Sequence, residues 1–304
     1  MGHNRGAHNE GWHLLTEGAM DQDSSSQQRR LLGAELRRLR EAAGKSQQDV
    51  HEWTKVPTTS ISRMEGGKRR IPVTFVKSVL PFYGVGSPQA EALERLAWES
   101  SQPGWWAEYR DAMPPWFDAY MGMESAAQEI WTYESEYVPG ILQTRRYTEA
   151  TLAAMPIESP SDAAERIAAL RGARRQRLTG ERPPILRAVL NEAVVRREVG
   201  GPAVMREQFE HLRDAADRSN ITLQVLPFNA GAHPGMLGPF TALRFDEEHM
   251  NTIYLEFDGA ALYLDKPMRV QRYADTFRRL TELALSEDDT ISLINEAERS
   301  LDEQ

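Results

Sequence analysis

The segment from Ser46 to Gly67 constrains the fold more than any other, because it predicts two short helices joined by a tight turn. Ser46 is a good helix N-cap, and Asp49 is three residues further on. In this arrangement, each side chain can accept a hydrogen bond from the backbone N–H of the other residue. Lys55-Val56-Pro57 then ends the first helix, because Pro57 cannot continue it but suits the first turn of the next.

The second helix is predicted to have one apolar and one polar face. Ile61 and Met64 are three residues apart and form the inward face. Four polar side chains are left facing outward or at the leading edge: Thr58, Thr59, Ser62 and Arg63. Threonine can hydrogen-bond to bases and touch a thymine methyl group, and arginine can grip guanine with two bonds. We therefore expect these four residues to read base edges in the major groove of DNA.

A basic run follows the second helix, and it suits contacts with DNA phosphates, which fix the register of a protein without reading sequence. The candidate phosphate-contacting residues are Gln47, Lys68, Arg69 and Arg70. Residues 28–80 carry 12 Lys and Arg against 5 Asp and Glu, although the whole chain has a net charge of −9. This asymmetry favours phosphate binding by one end of the protein. The alternative is a helical hairpin with no role in binding DNA.

Apolar residues at helical spacing flank this segment on both sides. They are Leu32, Leu36, Leu39 and Ala43 before it, then Val73, Val76, Val79 and Leu80, and finally Ala90, Leu93, Leu96 and Ala97. Residues 28–99 are therefore predicted to form an all-α, five-helix domain that contains the helix-turn-helix.

This unit closely resembles the Cro/CI-type (XRE-family) helix-turn-helix domain. The matching residues are Ser46-Gln47, Asp49-Val50, Val56, Ile61-Ser62-Arg63-Met64-Glu65 and Gly67. The resemblance implies that Thr58, Thr59 and Arg63 meet base edges. Two positions depart from the pattern: His51 stands where the family usually has a small alanine, and Lys55 stands where glycine is common because the backbone is left-handed there.

The length and composition of the chain exclude several classes of site and location. A chain of 304 residues is expected to form two domains. The absence of cysteine excludes disulfides, cysteine–zinc sites, iron–sulfur clusters and thiol catalysis. No apolar run is long enough to span a membrane and no apolar signal core begins the chain, so we expect a cytoplasmic protein. Residues 1–27 are predicted to be a disordered tail whose His3, His8 and His13 are solvated rather than metal-binding. No metal or cofactor is expected.

Aromatic residues are concentrated between Trp98 and Trp131. Residues 100–123 are predicted to be an aromatic-rich connector between the domains. The candidate partner or ligand surface is Trp105, Trp106, Trp116, Trp131 and Tyr133. Such residues line binding pockets and also fill cores, and the sequence favours an interdomain core over a binding surface.

Residues 124–285 are predicted to form an α+β regulatory or partner-binding domain with a mostly antiparallel sheet. Glu124 to Tyr137 is expected to be a helix, and Ile221 to Leu226 alternates like a strand. Residues 286–304 are expected to be a frayed acidic tail. The helix at 162–178 ends in Arg171, Arg174, Arg175 and Arg177. This cluster either binds a second phosphate group or, as we favour, complements the helix dipole and pairs with acidic neighbours.

The second domain resembles the C-terminal domain of unknown function common in actinobacterial regulators. The resemblance is carried by Trp131-x-Tyr133-Glu134, Val138-Pro139-Gly140-Ile141-Leu142-Gln143-Thr144, Tyr147, Arg171-x-x-Arg174-Arg175-Gln176, Leu226-Pro227 and Gly235 to Phe240. It implies an antitoxin-like regulator that is often encoded beside a small partner protein.

Three functions follow from these patterns. The first is a sequence-specific regulator that binds double-stranded DNA, as a homodimer, and uses its C-terminal domain for a partner protein or for dimerisation. The second is a small-molecule-responsive repressor with an aromatic pocket. The third is an enzyme built on Glu192, His233, Asp246, Glu256 and Asp258. No catalytic motif joins these residues, so we expect the protein not to be an enzyme.

Overall fold

A computed structural model describes residues 24–67, 69–99, 104–154, 162–246 and 248–302. The chain divides into two compact units. The helical unit contains the described residues up to Ala107 together with Pro114–Met123 and Asp258–Ala260, and the sheet unit contains Glu108–Met113, Glu124–Phe257 and the described residues from Ala261 onward.

Five helices at the start of the described chain confirm the predicted all-α domain. They are α1 (Ser24–Ala42), α2 (Gln47–Thr54), α3 (Thr58–Glu65), α4 (Val73–Phe82) and α5 (Ser87–Glu99). Leu32, Val50, Ile61, Val76 and Leu80 are fully buried in the core that these helices share. Helix α1 begins inside the segment predicted to be a tail, and residues 1–23 lie outside the described chain.

The predicted connector contains regular structure. A 3₁₀ helix covers Trp105–Ala112, and α6 covers Pro115–Ala126. Trp106 is buried, and its indole N–H donates to Asp118 Oδ1 over 2.7 Å. At least one aromatic residue of this stretch, Trp106, is therefore packed in the interior.

The second unit is built on one six-stranded sheet. Its strands are β1 (Glu129–Glu134), β2 (Ile185–Asn191), β3 (Ile221–Leu226), β4 (Phe240–Arg244), β5 (Thr252–Phe257) and β6 (Ala260–Leu264), in the order β3-β2-β1-β4-β5-β6. The β1–β4 and β4–β5 pairs are antiparallel, and β5 turns directly into β6. The β1–β2 and β2–β3 pairs are parallel. The α+β class with a mostly antiparallel sheet is confirmed, and the parallel pairing of β1, β2 and β3 was not predicted.

Six helices accompany the sheet. They are α7 (Arg145–Ala153), α8 (Ala163–Gln176), α9 (Glu192–Arg196), α10 (Pro202–Ala216), α11 (Pro267–Leu283) and α12 (Glu287–Ser300). The parallel pairs require crossover connections, and α7 to α10 lie in those connections. Helix α11 covers one part of the sheet, where Phe277 and Leu280 are buried beside Tyr133, Phe240 and Ile253.

Two expectations about this unit are wrong. Residues 124–137 do not form one helix, because α6 ends at Ala126 and β1 follows. In β1 the side chains of Ile130, Thr132 and Tyr133 are buried, which suits β-branched and aromatic residues. Residues 286–304 are not a frayed tail, because α12 is capped by Ser286 and buries Ile294.

The arginines at the end of α8 bind the unit's own backbone and side chains. Arg174 forms a two-bond ion pair with Glu124, at 2.8 and 2.6 Å, and both side chains are buried. Arg175 donates to the Gln143 carbonyl over 2.8 Å, and Arg177 donates to the carbonyl of Ser125 over 2.6 Å. Arg171 donates to the Gln143 side chain. These contacts support the structural interpretation of the cluster over a second phosphate site.

Within the described chain, none of the helices combines the length and the apolar character that crossing a bilayer requires.

Helix α1 approaches the end of α3 closely at Gly33. A Cβ atom added to Gly33 would lie 2.3 Å from the Met64 carbonyl oxygen and 2.9 Å from that of Glu65. Both neighbours are backbone atoms, so they cannot rotate away. Only glycine therefore permits this approach of α1 to α3.

We predict that Gly33→Ala destabilises the helical unit, because α1 must move away from α3. Hydrogen-exchange protection of the α3 amides should fall. Gly86→Ala is the matched control, since an added Cβ there meets no atom within 4 Å. Equal protection in the two variants would contradict the close packing.

Candidate nucleic-acid interface

The turn between α2 and α3 forms as the local sequence predicts. Asp49 N–H donates to Ser46 Oγ over 3.1 Å, and Ser46 N–H donates to Asp49 Oδ2 over 2.7 Å. The backbone hydrogen bond from Ser46 lowers the pKa of Asp49. Lys55 ends α2 with φ 61°, and its N–H donates to the His51 carbonyl over 2.7 Å. The capping box and the C-terminal turn thus fix both ends of α2.

The two departures from the usual pattern of such turns have structural explanations. Lys55 is the only non-glycine residue with positive φ in the described chain, and it occupies the left-handed conformation that glycine adopts more easily. His51 is half-buried, with Nδ1 2.9 Å from the Val56 carbonyl oxygen. Because a carbonyl can only accept, Nδ1 carries the proton and ties α2 to the turn.

Helix α3 presents polar side chains to solvent and apolar ones to the core. Ile61 and Met64 are buried, while Thr59, Ser62 and Arg63 are exposed. Thr58, at the first turn of the helix, is half-buried. Three of the four candidate base-reading residues therefore lie exposed on one short helix.

A buried carboxylate at the end of α3 fixes the rotation of that helix. Glu65 accepts from Arg40 Nε over 2.6 Å, from Arg40 Nη2 over 3.1 Å and from Gln47 Nε2 over 2.8 Å. Arg40 also donates to the Lys45 carbonyl over 2.7 Å. The hydrogen bond to Glu65 raises the pKa of Arg40. One side chain therefore joins α1, α2 and α3.

The candidate phosphate-contacting residues have different environments. Gln47 is half-buried and uses one amide N–H for Glu65, which leaves the other N–H for a phosphate oxygen. Arg69 and Arg70 are exposed, and Arg69 Nη1 donates to Ser60 Oγ over 3.0 Å. Lys68 lies outside the described residues.

A groove of about 350 Å³ runs beside α3, and it includes one cation that the sequence interpretation missed. Its lining residues are Arg37, Gln47, Ser62, Arg63, Glu65 and Gly66. Arg37 lies on the exposed face of α1 and pairs with Glu41 over 2.9 Å. The sequence could have indicated Arg37, because its position on α1 is opposite the stripe of leucines and is therefore exposed. Arg37 and Arg63 give the groove a positive rim.

The aromatic candidates are divided between the two units. Trp105, Trp106 and Trp116 belong to the helical unit, and Trp131 and Tyr133 belong to the sheet unit. Trp106 and Tyr133 are buried, so neither offers a surface to a partner. Trp131 is half-buried, with Phe277 stacked at 5.2 Å and the Arg244 guanidinium 4.2 Å from its ring. Protein groups therefore already occupy positions beside the Trp131 ring.

The titratable residues of the sheet unit mostly contact their own neighbours. Glu192 accepts from the Phe228 backbone over 2.8 Å, and Tyr254 donates to Glu256 over 2.9 Å. His233 lies against the Tyr133 ring, and burial lowers the pKa of its imidazole. In the parts of the chain that the structure describes, no group of three or more His, Asp or Glu side chains is arranged to hold a metal ion.

The fold and the exposed polar helix beside a cationic groove define a helix-turn-helix DNA-binding regulator. Residues 31–94 match a family model described as a helix-turn-helix domain, and residues 117–296 match one described as a domain of unknown function (DUF5753). The second match covers more than half of the chain, so the protein belongs to the DUF5753 family. No curated protein and no solved structure matches the chain.

We predict that Glu65→Ala destabilises the helical unit by about 3–5 kcal/mol, because it leaves the buried Arg40 charge without its partner. The Arg40 and Glu65 side chains are only 8 % and 5 % exposed. Urea denaturation measures the change. Glu41→Ala removes an exposed carboxylate beside the same arginine and is the matched control. A loss in the control equal to that of Glu65→Ala would contradict the prediction.

A second prediction concerns pH and Glu134 in β1. Burial raises the pKa of the Glu134 carboxyl from 4.5 to about 8. Between these values the folded chain holds a proton that the unfolded chain releases, so the free energy of unfolding falls as pH rises. Glu134→Gln cannot ionise and should reduce this decline. Urea titrations from pH 5 to 8.5 test it, and parallel curves for the two proteins would contradict it.

Proposed function

We propose that this protein is an XRE-type transcriptional regulator that binds a specific double-stranded operator. The proposal rests above all on the exposure of Thr59, Ser62 and Arg63 on a helix whose rotation Glu65 fixes. A recognition helix needs such rigidity, because a hydrogen bond to a base edge depends on position and angle. The proposal assigns binding, and no catalysis, to both units.

We further propose that the regulator binds as a homodimer. The exposed part of α3 spans only a few residues, which suffices for one half-site. Paired modules read two half-sites about 34 Å apart, or a multiple of that spacing, and thereby gain specificity. The expected operator is therefore an inverted repeat.

The sheet unit is proposed to receive a small partner protein, as in antitoxin-like regulators. Support comes from the resemblance of its Val138 to Thr144 segment to that of actinobacterial regulators. A regulator of this kind acts where the chromosome is, which in a bacterium is the cytoplasm.

Selection of bound sequences from a random-sequence duplex pool tests the proposal. We expect a palindromic site to be enriched by the intact protein. Enrichment of no sequence above non-specific binding would overturn the proposal.

Base reading by Arg63 gives a sharper prediction. Arg63→Ala should cost about 1–3 kcal/mol of binding at one position of each half-site and relax specificity there. Arg70→Ala removes an exposed candidate phosphate contact and is the comparison. It should weaken all sequences alike and reduce the salt slope by about one. Gel shifts across single-base operator variants separate the two patterns. A uniform loss for Arg63→Ala would contradict its base-reading role.

A further inference from the structure

An exposed apolar patch lies on the sheet unit, far in sequence from the helix-turn-helix. It comprises three large side chains on two elements that contact each other: Met236 is 72 % exposed, Leu237 is 86 % exposed and Met268 is 84 % exposed. Met236 and Leu237 end the 3₁₀ turn Pro234–Leu237, which contacts α11. Met268 begins α11. Large apolar side chains that are exposed together on neighbouring elements mark interaction surfaces.

The patch stands on a fixed support. Gly235 is buried directly before the exposed Met236 and Leu237, and an added Cβ would lie 2.6 Å from Tyr133 and 3.1 Å from Leu280. Both of those residues belong to the core between the sheet and α11. The turn is therefore anchored at Gly235, while Met236 and Leu237 point their side chains into solvent. Such a preformed surface loses little conformational entropy on binding.

A groove of about 550 Å³ continues from the patch along α11. It is lined by Pro234, Met268, Gln271, Arg272, Asp275, Thr276 and Arg279. Asp275 accepts from Gln271 over 3.0 Å and from Arg278 over 2.7 Å, so its charge is compensated inside the protein. Arg272 has no such partner in the described chain, and Arg279 lies 3.6 Å from Glu282. The groove therefore presents net positive charge.

This charge differs in sign from the net charge of residues 81–304 as a whole. Residues 81–304 carry 23 Lys and Arg against 36 Asp and Glu. A basic, apolar groove on an acidic body selects for an acidic ligand with an apolar face. A helix can meet both demands, because residues at i, i+4 and i+7 form one anchor stripe that enters such a groove.

We propose that the Met236–Leu237–Met268 patch and the α11 groove bind an acidic amphipathic helix of a separate protein. This inference rests on the proposed function, for which it supplies the partner surface. A second copy of the chain fits less well, since a twofold contact at this patch would bring Arg272 and Arg279 towards their own copies. DNA also fits less well, because three exposed apolar side chains offer nothing to phosphates.

A displayed library of 16-residue peptides tests the proposal. Apolar residues occupy i, i+4 and i+7 in every peptide, and the remaining positions vary between Glu and Lys. We expect the intact protein to enrich Glu-rich members. A synthetic peptide of the enriched sequence is then measured by fluorescence anisotropy. Enrichment of Lys-rich peptides, or of none, would overturn the proposal.

Three variants locate the binding site. Leu237→Asp and Met268→Asp should each weaken peptide binding at least tenfold, and both positions are so exposed that the fold tolerates them. Arg272→Glu should weaken the Glu-rich peptide and strengthen its Lys-rich counterpart. Ile185→Asp, at another exposed apolar position of the sheet unit, is the control. Equal effects of Ile185→Asp and Met268→Asp would overturn the assignment.

Two further measurements separate the competing occupants. Sedimentation of the wild type and Leu237→Asp reports self-association, and a dimer abolished by this change would show a second copy on the patch. Displacement of the bound peptide by a short DNA duplex would show that nucleic acid occupies the patch. Either result overturns the proposal. Operator binding by Met268→Asp should match that of the wild type, so failure of the partner surface and failure of DNA binding are distinguishable.

Discussion

The buried ion pair between Arg40 and Glu65 is the interaction on which the geometry of the helix-turn-helix depends. A carboxylate inside a protein is stable only if hydrogen-bond donors replace its water, and Glu65 obtains them from Arg40 and Gln47. These donors come from α1 and α2, so satisfying one charge fixes three helices together. The outward direction of Thr59, Ser62 and Arg63 follows from that arrangement.

The sheet unit uses buried polar contacts in a similar way, with a different result. Gln143 and Gln208 are buried, and Gln208 bonds to both Leu142 and Thr144. Arg174 pairs with Glu124, and the other arginines near the end of α8 bond to backbone or side-chain oxygens. The basic residues of α8 are thereby used inside the fold. Arg272 and Arg279, in contrast, line the groove along α11.

Patterns within a few residues of one another correctly predicted the helices that are stabilised by local interactions. The Ser46–Asp49 cap, the proline after Val56 and the apolar stripes predicted the five helices α1 to α5. Sequence failed at residues 127–134, because a central strand is defined by neighbours on both sides, here Ile185–Asn191 and Phe240–Arg244. It also failed at α12, where acidic composition hid the buried Thr290, Ile294 and Ala297.

The amino-acid sequence by itself determined the helix-turn-helix, its polar outer face and the positive charge of residues 28–80, because caps, helical periodicity and composition act over a few residues. Only the tertiary structure decided that Glu65 pairs with Arg40, that Arg37 joins the groove beside Arg63, and that Met268 stands beside the turn of Leu237. Those facts depend on contacts between residues far apart in the chain, and such contacts exist only once the two cores have packed.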